Sequence, residues 1–469
     1  MALKIYNTRT RRVESFKPRK DKKVDIYVCG PTVYDDSHIG HARTYIAFDV
    51  VVRYLKYRGY DVKYVVNITN VDDKIINRAR EVGANPVELA GKFEKVFFED
   101  MDRLGVLKAD FYPRVSEHID EIVEMVQTLI QKGFAYVVDG DVFFDVGKFK
   151  GYGELSRQSL DDVRAGARVE VDEKKRSPAD FALWKSVKEG EISWESPWGR
   201  GRPGWHIECS AMANKYLGAQ FDIHGGGRDL MFPHHENEIT QSEAYSGKKP
   251  AVKYWLHIGL LTINGEKMSK SLGNFISIGD FLNRFEADVL RLFIISTHYR
   301  RPVDFSEEKL KAAKQRLTRV HGTVNNLRAQ IESAPKRGGK GDAEFRKQVK
   351  AIREKFIDAM DEDFDTPHAL AAFYRLVQLG NKALTADMGK SVLSEILDSI
   401  MEMANVFGIL GMEKKRVELP EEAERLLRER DEARSRQDWK TADELRERLR
   451  GIGIIVEDLP EGTRWRYAE

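Results

Sequence analysis

A cysteine and two histidines share one short stretch of this chain. Cys29 closes the run Val24-Asp25-Ile26-Tyr27-Val28, and His38 and His41 flank Gly40 a few residues on. A thiol at the C-terminal edge of a strand lies where open α/β sheets bind ligands. Histidines in the first turn of a helix can reach an anion held by the free N–H groups there. The other cysteine, Cys209, ends Gly204-Trp205-His206-Ile207-Glu208-Cys209. His234 and Glu238 are four residues apart, which puts them on one helix face. Two thiols, an imidazole and a carboxylate suit Zn2+. Spacing alone leaves other readings open: a surface His/Glu pair, or two inert buried thiols. A third group is the loop Lys267-Met268-Ser269-Lys270-Ser271. Its two ammonium groups would neutralise a transferring phosphate, or simply face water. No GxGxxG and no Walker lysine occurs near residue 30, so ordinary dinucleotide and P-loop readings fail.

These side chains need elements to hold them. The run 24–30 reads as a strand ended by Gly30-Pro31, and Ser37 as the cap of a helix over 42–57. A second apolar strand, Val62 to Ile68, ends in the polar run Thr69-Asn70-Val71-Asp72-Asp73. Helices follow at 86–104 and 116–132, and this β-α-β-α rhythm predicts a parallel sheet. Residues 1–23 read as a basic edge strand or lead-in. The rhythm breaks from about 134 to 200, with short β pieces at 136–145 and a charged run from Asp161 to Lys188. Helix and strand return over 204–246 around Gly225-Gly226-Gly227. Tyr254 to Thr262 reads as a strand leading through an Asn264-Gly265 turn to the lysine loop. Beyond 280, helical periodicity covers 306–333, 343–361, 366–386 and 390–409, with a linker at 336–341. The tail carries two charged helices between Glu421 and Arg450, broken near Ser435–Asp438, then a β piece over Ile452–Glu457.

The expected fold class is α/β. Residues 1–114 and 204–265 form a Rossmann-like catalytic domain, and 115–203 an inserted domain. Residues 266–305 carry the lysine loop, 306–412 form a helical bundle and 413–469 a small C-terminal domain. The net charge of +2 is too small to argue for nucleic acid, so any such contact must use local patches. No apolar run reaches membrane-spanning length, and Met-Ala-Leu-Lys-Ile-Tyr does not read as a signal peptide. A cytoplasmic protein with unpaired thiols is expected.

His38-Ile39-Gly40-His41 with Lys267-Met268-Ser269-Lys270-Ser271 resembles the paired signatures of class I aminoacyl-tRNA synthetases. Cys29 to Tyr34, Asn67 to Lys74, Ala179 to Lys185, Gly204 to Cys209 and Gly225 to Glu238 resemble the cysteinyl-tRNA synthetases. The resemblance implies one Zn2+ per chain, held by Cys29, Cys209, His234 and Glu238, that binds the substrate thiol. It implies that ATP, with Mg2+, meets His38, Gly40, His41 and Lys270, and that His38, His41, Lys267 and Lys270 act in catalysis. It implies that L-cysteine is activated as an adenylate and passed to the terminal adenosine of tRNA(Cys). Trp205, Asp229 and Thr32 are candidates to contact the amino acid. Trp439, Arg464, Trp465 and Arg466 are candidates to meet unstacked bases. The rival within this fold is a ligase that couples activated cysteine to a small amine, such as an amino sugar; the long C-terminal extension favours tRNA.

Overall fold

The structure, a computed structural model, describes residues 2–158, 173–187, 191–268, 273–335, 338, 341–386, 388–411, 421–436, 438–452, 454–459 and 462–467. Two short strands, β1 (Lys4–Asn7) and β2 (Arg12–Ser15), pair antiparallel where a lead-in is expected. Strand β3 (Lys23–Val28) then alternates its faces. Val24, Ile26 and Val28 pack into a core shared with helix α1 (Ile39–Tyr57), whereas Tyr27 and Cys29 belong to the core on the opposite face. Strand β4 (Asp61–Val66) pairs parallel with β3. Helices α2 (Asp73–Val82), α3 (Pro86–Arg103) and α4 (Ile119–Gln131) follow. The first of these is not among the expected helices; it begins at the end of the polar run 69–73, where Asp72 caps it, and Gly83 ends it in the left-handed region.

Strands β5 (Ala135–Val138), β6 (Asp141–Phe144), β7 (Phe181–Ser186) and β8 (Gly201–Pro203) build one antiparallel sheet. The chain then returns to the parallel sheet through the helix Trp205–Leu217, strand β9 (Phe221–Gly227), the helix Glu236–Ser246 and strand β10 (Val252–Ile258). The spatial order is β10-β9-β3-β4, all parallel. From β3 the chain crosses to β4 on one side, and from β9 to β10 on the other. The crevice between the C-terminal ends of β3 and β9 is therefore the switch point where doubly wound sheets bind ligands.

The expected strand Tyr254–Thr262 is two pieces. β10 stops at Ile258, and β11 (Leu261–Ile263) joins a different sheet with β12 (Glu266–Lys267) and β13 (Val303–Phe305). Gly259 sits at the break, where a Cβ would lie 2.3 Å from the Arg301 carbonyl oxygen. Asn264 and Gly265 have φ of 53° and 79°, as a tight hairpin turn requires. Ser269, Lys270 and Ser271 lie outside the described residues, as do 159–172 and 188–190 of the charged run and most of the linker 336–341.

Four helices, Glu307–Ser333, Asp342–Asp361, Thr366–Leu384 and Lys390–Phe407, follow within about two residues of expectation. The first buries Leu310, Ala313, Leu317, Val320, Val324 and Leu327, one stripe at helical spacing. The C-terminal half of α1 docks on this bundle. The Tyr54 hydroxyl donates to Asp361 (2.8 Å) and Arg53 donates to the Asn405 carbonyl (3.2 Å). Residues up to Leu410 form one compact unit and Gly411–Glu469 a second. The second unit has helices Glu421–Ser435 and Trp439–Gly451, then strands β14 (Ile454–Leu459) and β15 (Gly462–Tyr467), paired antiparallel over Leu426, Leu445, Leu449, Ile454 and Val456. The single β piece expected at 452–457 is thus a hairpin. Trp465 and its arginine neighbours lie on its second strand, and Trp439 is exposed.

Candidate active site and metal centre

One cleft opens at the switch point. Its lining includes Cys29, Thr32, His38, Gly40, His41, Trp205, Cys209, Asp229 and His234. These nine expected residues, from distant parts of the chain, therefore share one space. Close backbone approach makes this possible: a Cβ on Gly30 would lie 1.4 Å from the Asn67 carbonyl oxygen, so only glycine lets the chain turn there.

At the inner end of the cleft, Cys29, Cys209, His234 and Glu238 each offer a ligand atom, all within 4.8 Å of one another. The two sulfurs are 3.9 Å apart and unbonded. Cys29 Sγ is 3.4 Å from Glu238 Oε1, and His234 Nε2 is 3.0 Å from the same oxygen. The spacing of four does bring His234 and Glu238 together. His234 sits in a wide turn over Met231–His235 that leads into the helix bearing Glu238. The surface-pair reading fails because both side chains are buried. Burial pushes the Cys209 thiol up to about 12, the Glu238 carboxyl up to about 7 and the His234 imidazole down to about 3. Without a cation the cluster sheds its charge, yet its sulfur, nitrogen and oxygen lone pairs converge. This donor set fits a divalent, thiolate-binding metal.

A second quartet, missed in the sequence, shares two of these residues: Cys29, His224, His235 and Glu238. His224 Nε2 and His235 Nε2 lie 3.5 and 3.3 Å from Cys29 Sγ. His235 Nδ1 is 2.8 Å from His257 Nε2, and His206 Nδ1 is 2.9 Å from His234 Nδ1. Cys29, Cys209 and His234 line the cleft, whereas His224 and His235 are not among its lining residues. A metal in the first quartet is the one a ligand in the cleft can reach. The His234-His235 pair and the histidine before Gly225-Gly226-Gly227 were the available signals.

At the outer end, the helix cap is His38 rather than Ser37, and α1 starts three residues earlier than expected. His38 Nδ1 accepts from the backbone N–H of Gly40 (3.0 Å) and His41 (3.2 Å), and His41 Nδ1 accepts from His38 N–H (3.3 Å). Two histidines thereby build a reciprocal capping box. Their rings stack with centroids 3.8 Å apart. A Cβ on Gly40 would lie 2.8 Å from the His38 ring, so that glycine serves the stacked cap. With both Nδ1 atoms accepting, the remaining proton of each neutral ring sits on Nε2. Burial, His38 and Lys74 hold His41 down at about 3. The pair offers hydrogen-bond donors rather than fixed charge.

Trp205 is half-buried, its ring 4.5 Å from that of His234. Thr32 bridges to Thr69 at the strand ends, and Asp229 is exposed at the rim. Glu208, not singled out in the sequence, is buried on the cleft wall and accepts from the Thr69 hydroxyl.

The fold is that of the class I aminoacyl-tRNA synthetases. Residues 15–315 match the family described as tRNA synthetases class I (C) catalytic domain. Similar solved structures include a LeuRS of Agrobacterium radiobacter K84 in a ternary complex with tRNA and LeuAMS (TM-score 0.62, 13% identity, covering 84% of this chain and 85% of that one). Another is methionyl-tRNA synthetase of Mycobacterium tuberculosis with methionyl-adenylate (TM-score 0.58, 16% identity, 82% and 89%). Residues 355–411 match the DALR domain and 416–466 the Cysteinyl-tRNA ligase anticodon binding domain. Cysteine–tRNA ligases of Geobacillus thermodenitrificans and Thermococcus gammatolerans are each 50% identical over 99% of this chain and 99% of their own length. The chain belongs to the cysteine–tRNA ligase family.

Proposed function

We propose that this chain attaches L-cysteine to tRNA(Cys) in two steps at the switch-point cleft. Full-length identity of 50% to cysteine–tRNA ligases carries this reading, and the thiol-rich quartet in the cleft supports it. In the first step a carboxylate oxygen of cysteine bonds to the α-phosphorus of ATP and pyrophosphate leaves. In the second a ribose hydroxyl of the terminal adenosine attacks the activated carbonyl and AMP leaves. Such phosphoryl chemistry needs alignment and charge neutralisation more than a base.

The inner end of the cleft would take the amino acid. A Zn2+ held by Cys29, Cys209, His234 and Glu238 would give the substrate thiol a soft partner that a serine hydroxyl cannot match. Glu238 then either stays as a further donor or yields its place to the substrate sulfur. Trp205 covers that pocket, Asp229 receives the ammonium and Thr32 borders the backbone of the substrate. At the outer end His38 and His41 donate Nε2–H to phosphate oxygens, with Gly40 leaving the helix N-terminus open to them. Lys267 and Lys270 would supply charge to the phosphates, and Mg2+ would accompany ATP. The catalytic domain is taken as 1–114 with 204–265, 115–203 as its insertion and 266–305 as the loop region. The bundle 306–412 would hold tRNA and 413–469 the anticodon. A ligase acting on a small amine has no use for the anticodon-binding domain matched at 416–466. Among the described residues no helix is long and apolar enough to cross a membrane. The cytoplasm, where translation runs, is the compartment that fits.

The test is charging of total tRNA with labelled cysteine and, in parallel, labelled serine. Cysteine-dependent, ATP-dependent labelling of one tRNA is expected. Labelling of a small amine, or of none, would refute the assignment.

A further inference from the structure

The cleft must bring a carboxylate and a triphosphate together, yet among the described residues its walls carry little positive charge. Its histidines serve as caps or sit buried, and two of its lining residues, Glu208 and Asp229, are acids. Lys74 is the one lysine or arginine among the described residues that line it. Its Nζ lies 5.7 Å from the Tyr34 ring centroid and 5.5 Å from that of Trp205. Trp205 stands against the metal-ligand candidate His234, and Tyr34 lies on the loop leading into the histidine cap. The ammonium therefore spans the gap between the amino-acid end and the ATP end.

Its neighbours leave this ammonium uncommitted. Asp73 is bound by both Lys185 and Arg202, from β7 and β8. Asp72 spends an oxygen on the backbone N–H of Lys74 itself, 2.8 Å away. Among the described residues no carboxylate lies within ion-pair distance of Nζ. The backbone is pinned by the cap, and the two ring faces flank the charge at the opening.

We propose that Lys74 is a catalytic residue whose ammonium pairs with the carboxylate of the bound amino acid during adenylate formation. The proposal rests on reading the cleft as the cysteine-activating site. A carboxylate lone pair forms the new O–P bond. The bond from the α-phosphorus to the bridging oxygen breaks, and its electron pair departs with pyrophosphate. The ammonium keeps its proton throughout and follows the charge from carboxylate to α-phosphoryl oxygens, where a fixed cation counts most.

The experiment is cysteine-dependent ATP–pyrophosphate exchange on the full chain and its Lys74→Ala and Lys74→Arg variants. Cysteamine, which is cysteine without its carboxylate, serves as a competitive inhibitor. Lys74→Ala should lose about a hundredfold in kcat/KM for cysteine, as removal of one charge-stabilising donor does, and Lys74→Arg should regain at least about tenfold. The inhibition constant of cysteamine should stay within about twofold of the parent, because that ligand lacks the group Lys74 meets. Bound metal and melting temperature should not move, since the side chain is exposed. Exchange within about threefold of the parent in Lys74→Ala would overturn the proposal. So would a cysteamine constant that rises in step with that of cysteine, which would make Lys74 a prop for the aromatic mouth. Absence of cysteine-dependent exchange in the parent chain would instead refute the activation reading itself.

Discussion

His206 is itself neither a lining residue of the cleft nor a member of the metal quartet, but replacing it should weaken metal binding. Its Nδ1 lies 2.9 Å from His234 Nδ1, and both rings are buried. For His234 to offer Nε2 toward Glu238 and a metal, its own proton must sit on Nδ1 and donate to His206. His206→Phe keeps a ring in the space and deletes the acceptor. An orphaned buried donor costs about 1–3 kcal/mol, which is roughly 5- to 150-fold in an equilibrium constant. Loss of an outer partner of a metal-bound histidine costs about 10- to 100-fold in affinity, a range inside the first. The assay strips the protein of metal and titrates Zn2+ back in competition with a chelating indicator. His206→Asn sets an amide oxygen where Nδ1 stood and should recover most of the loss. Affinity of His206→Phe within about twofold of the parent, in a protein that still folds, would refute the tautomer argument.

Three further outcomes are expected. Burial raises the Glu238 carboxyl from 4.5 to about 7, so in the metal-stripped protein it favours folding below pH 4.5 and loses that contribution as pH rises through about 7. Glu238→Gln, which carries no charge, should therefore gain stability relative to the stripped parent across that window, by up to about 3.4 kcal/mol read from thermal melts, and equal pH profiles would refute it. Gly30→Ala drives a methyl into the Asn67 carbonyl and should destabilise by at least about 1–3 kcal/mol in thermal melts, with exchange activity lost. Deleting 412–469 should leave ATP–pyrophosphate exchange intact while tRNA charging falls; equal charging would remove the tail from tRNA recognition.

Much of the catalytic half was legible because its constraints are local. Apolar strands followed by polar edges gave the parallel sheet, and long periodic runs gave the four bundle helices to within a turn. The metal quartet was visible as residue types, but four ligands scattered over two hundred residues have no spacing rule to join them. The switch point between β3 and β9 is what joins them, through a close approach at Gly30 that only three-dimensional packing reveals. His224, His235, His206 and His257 stayed hidden for the same reason: a histidine that supports another histidine looks in sequence like any core residue. The cap was misread because Ser37 has the commoner capping side chain, whereas here two stacked imidazoles do the same work. Helix α2 was missed because its charged residues mask a short apolar stripe of Ile75, Ile76 and Ala79.

Helix α1 carries the histidine cap at one end and holds the bundle at the other. Its Asp49 pairs with Arg291 in full burial, across 242 residues of sequence. Tyr54 reaches Asp361 across 307 residues, and Arg53 reaches Asn405 across 352. Contacts of such separation form late, because long loops must close before they are rewarded. During synthesis the histidine-capped end of the helix emerges within the first tenth of the chain, and its anchors Arg291, Asp361 and Asn405 all emerge in the last two-fifths. The catalytic half is then expected not to fold on its own. A chain ended after Ser333 should show no exchange activity, and parental activity in it would contradict this order. The part of the molecule made first is the part that must wait longest for its shape.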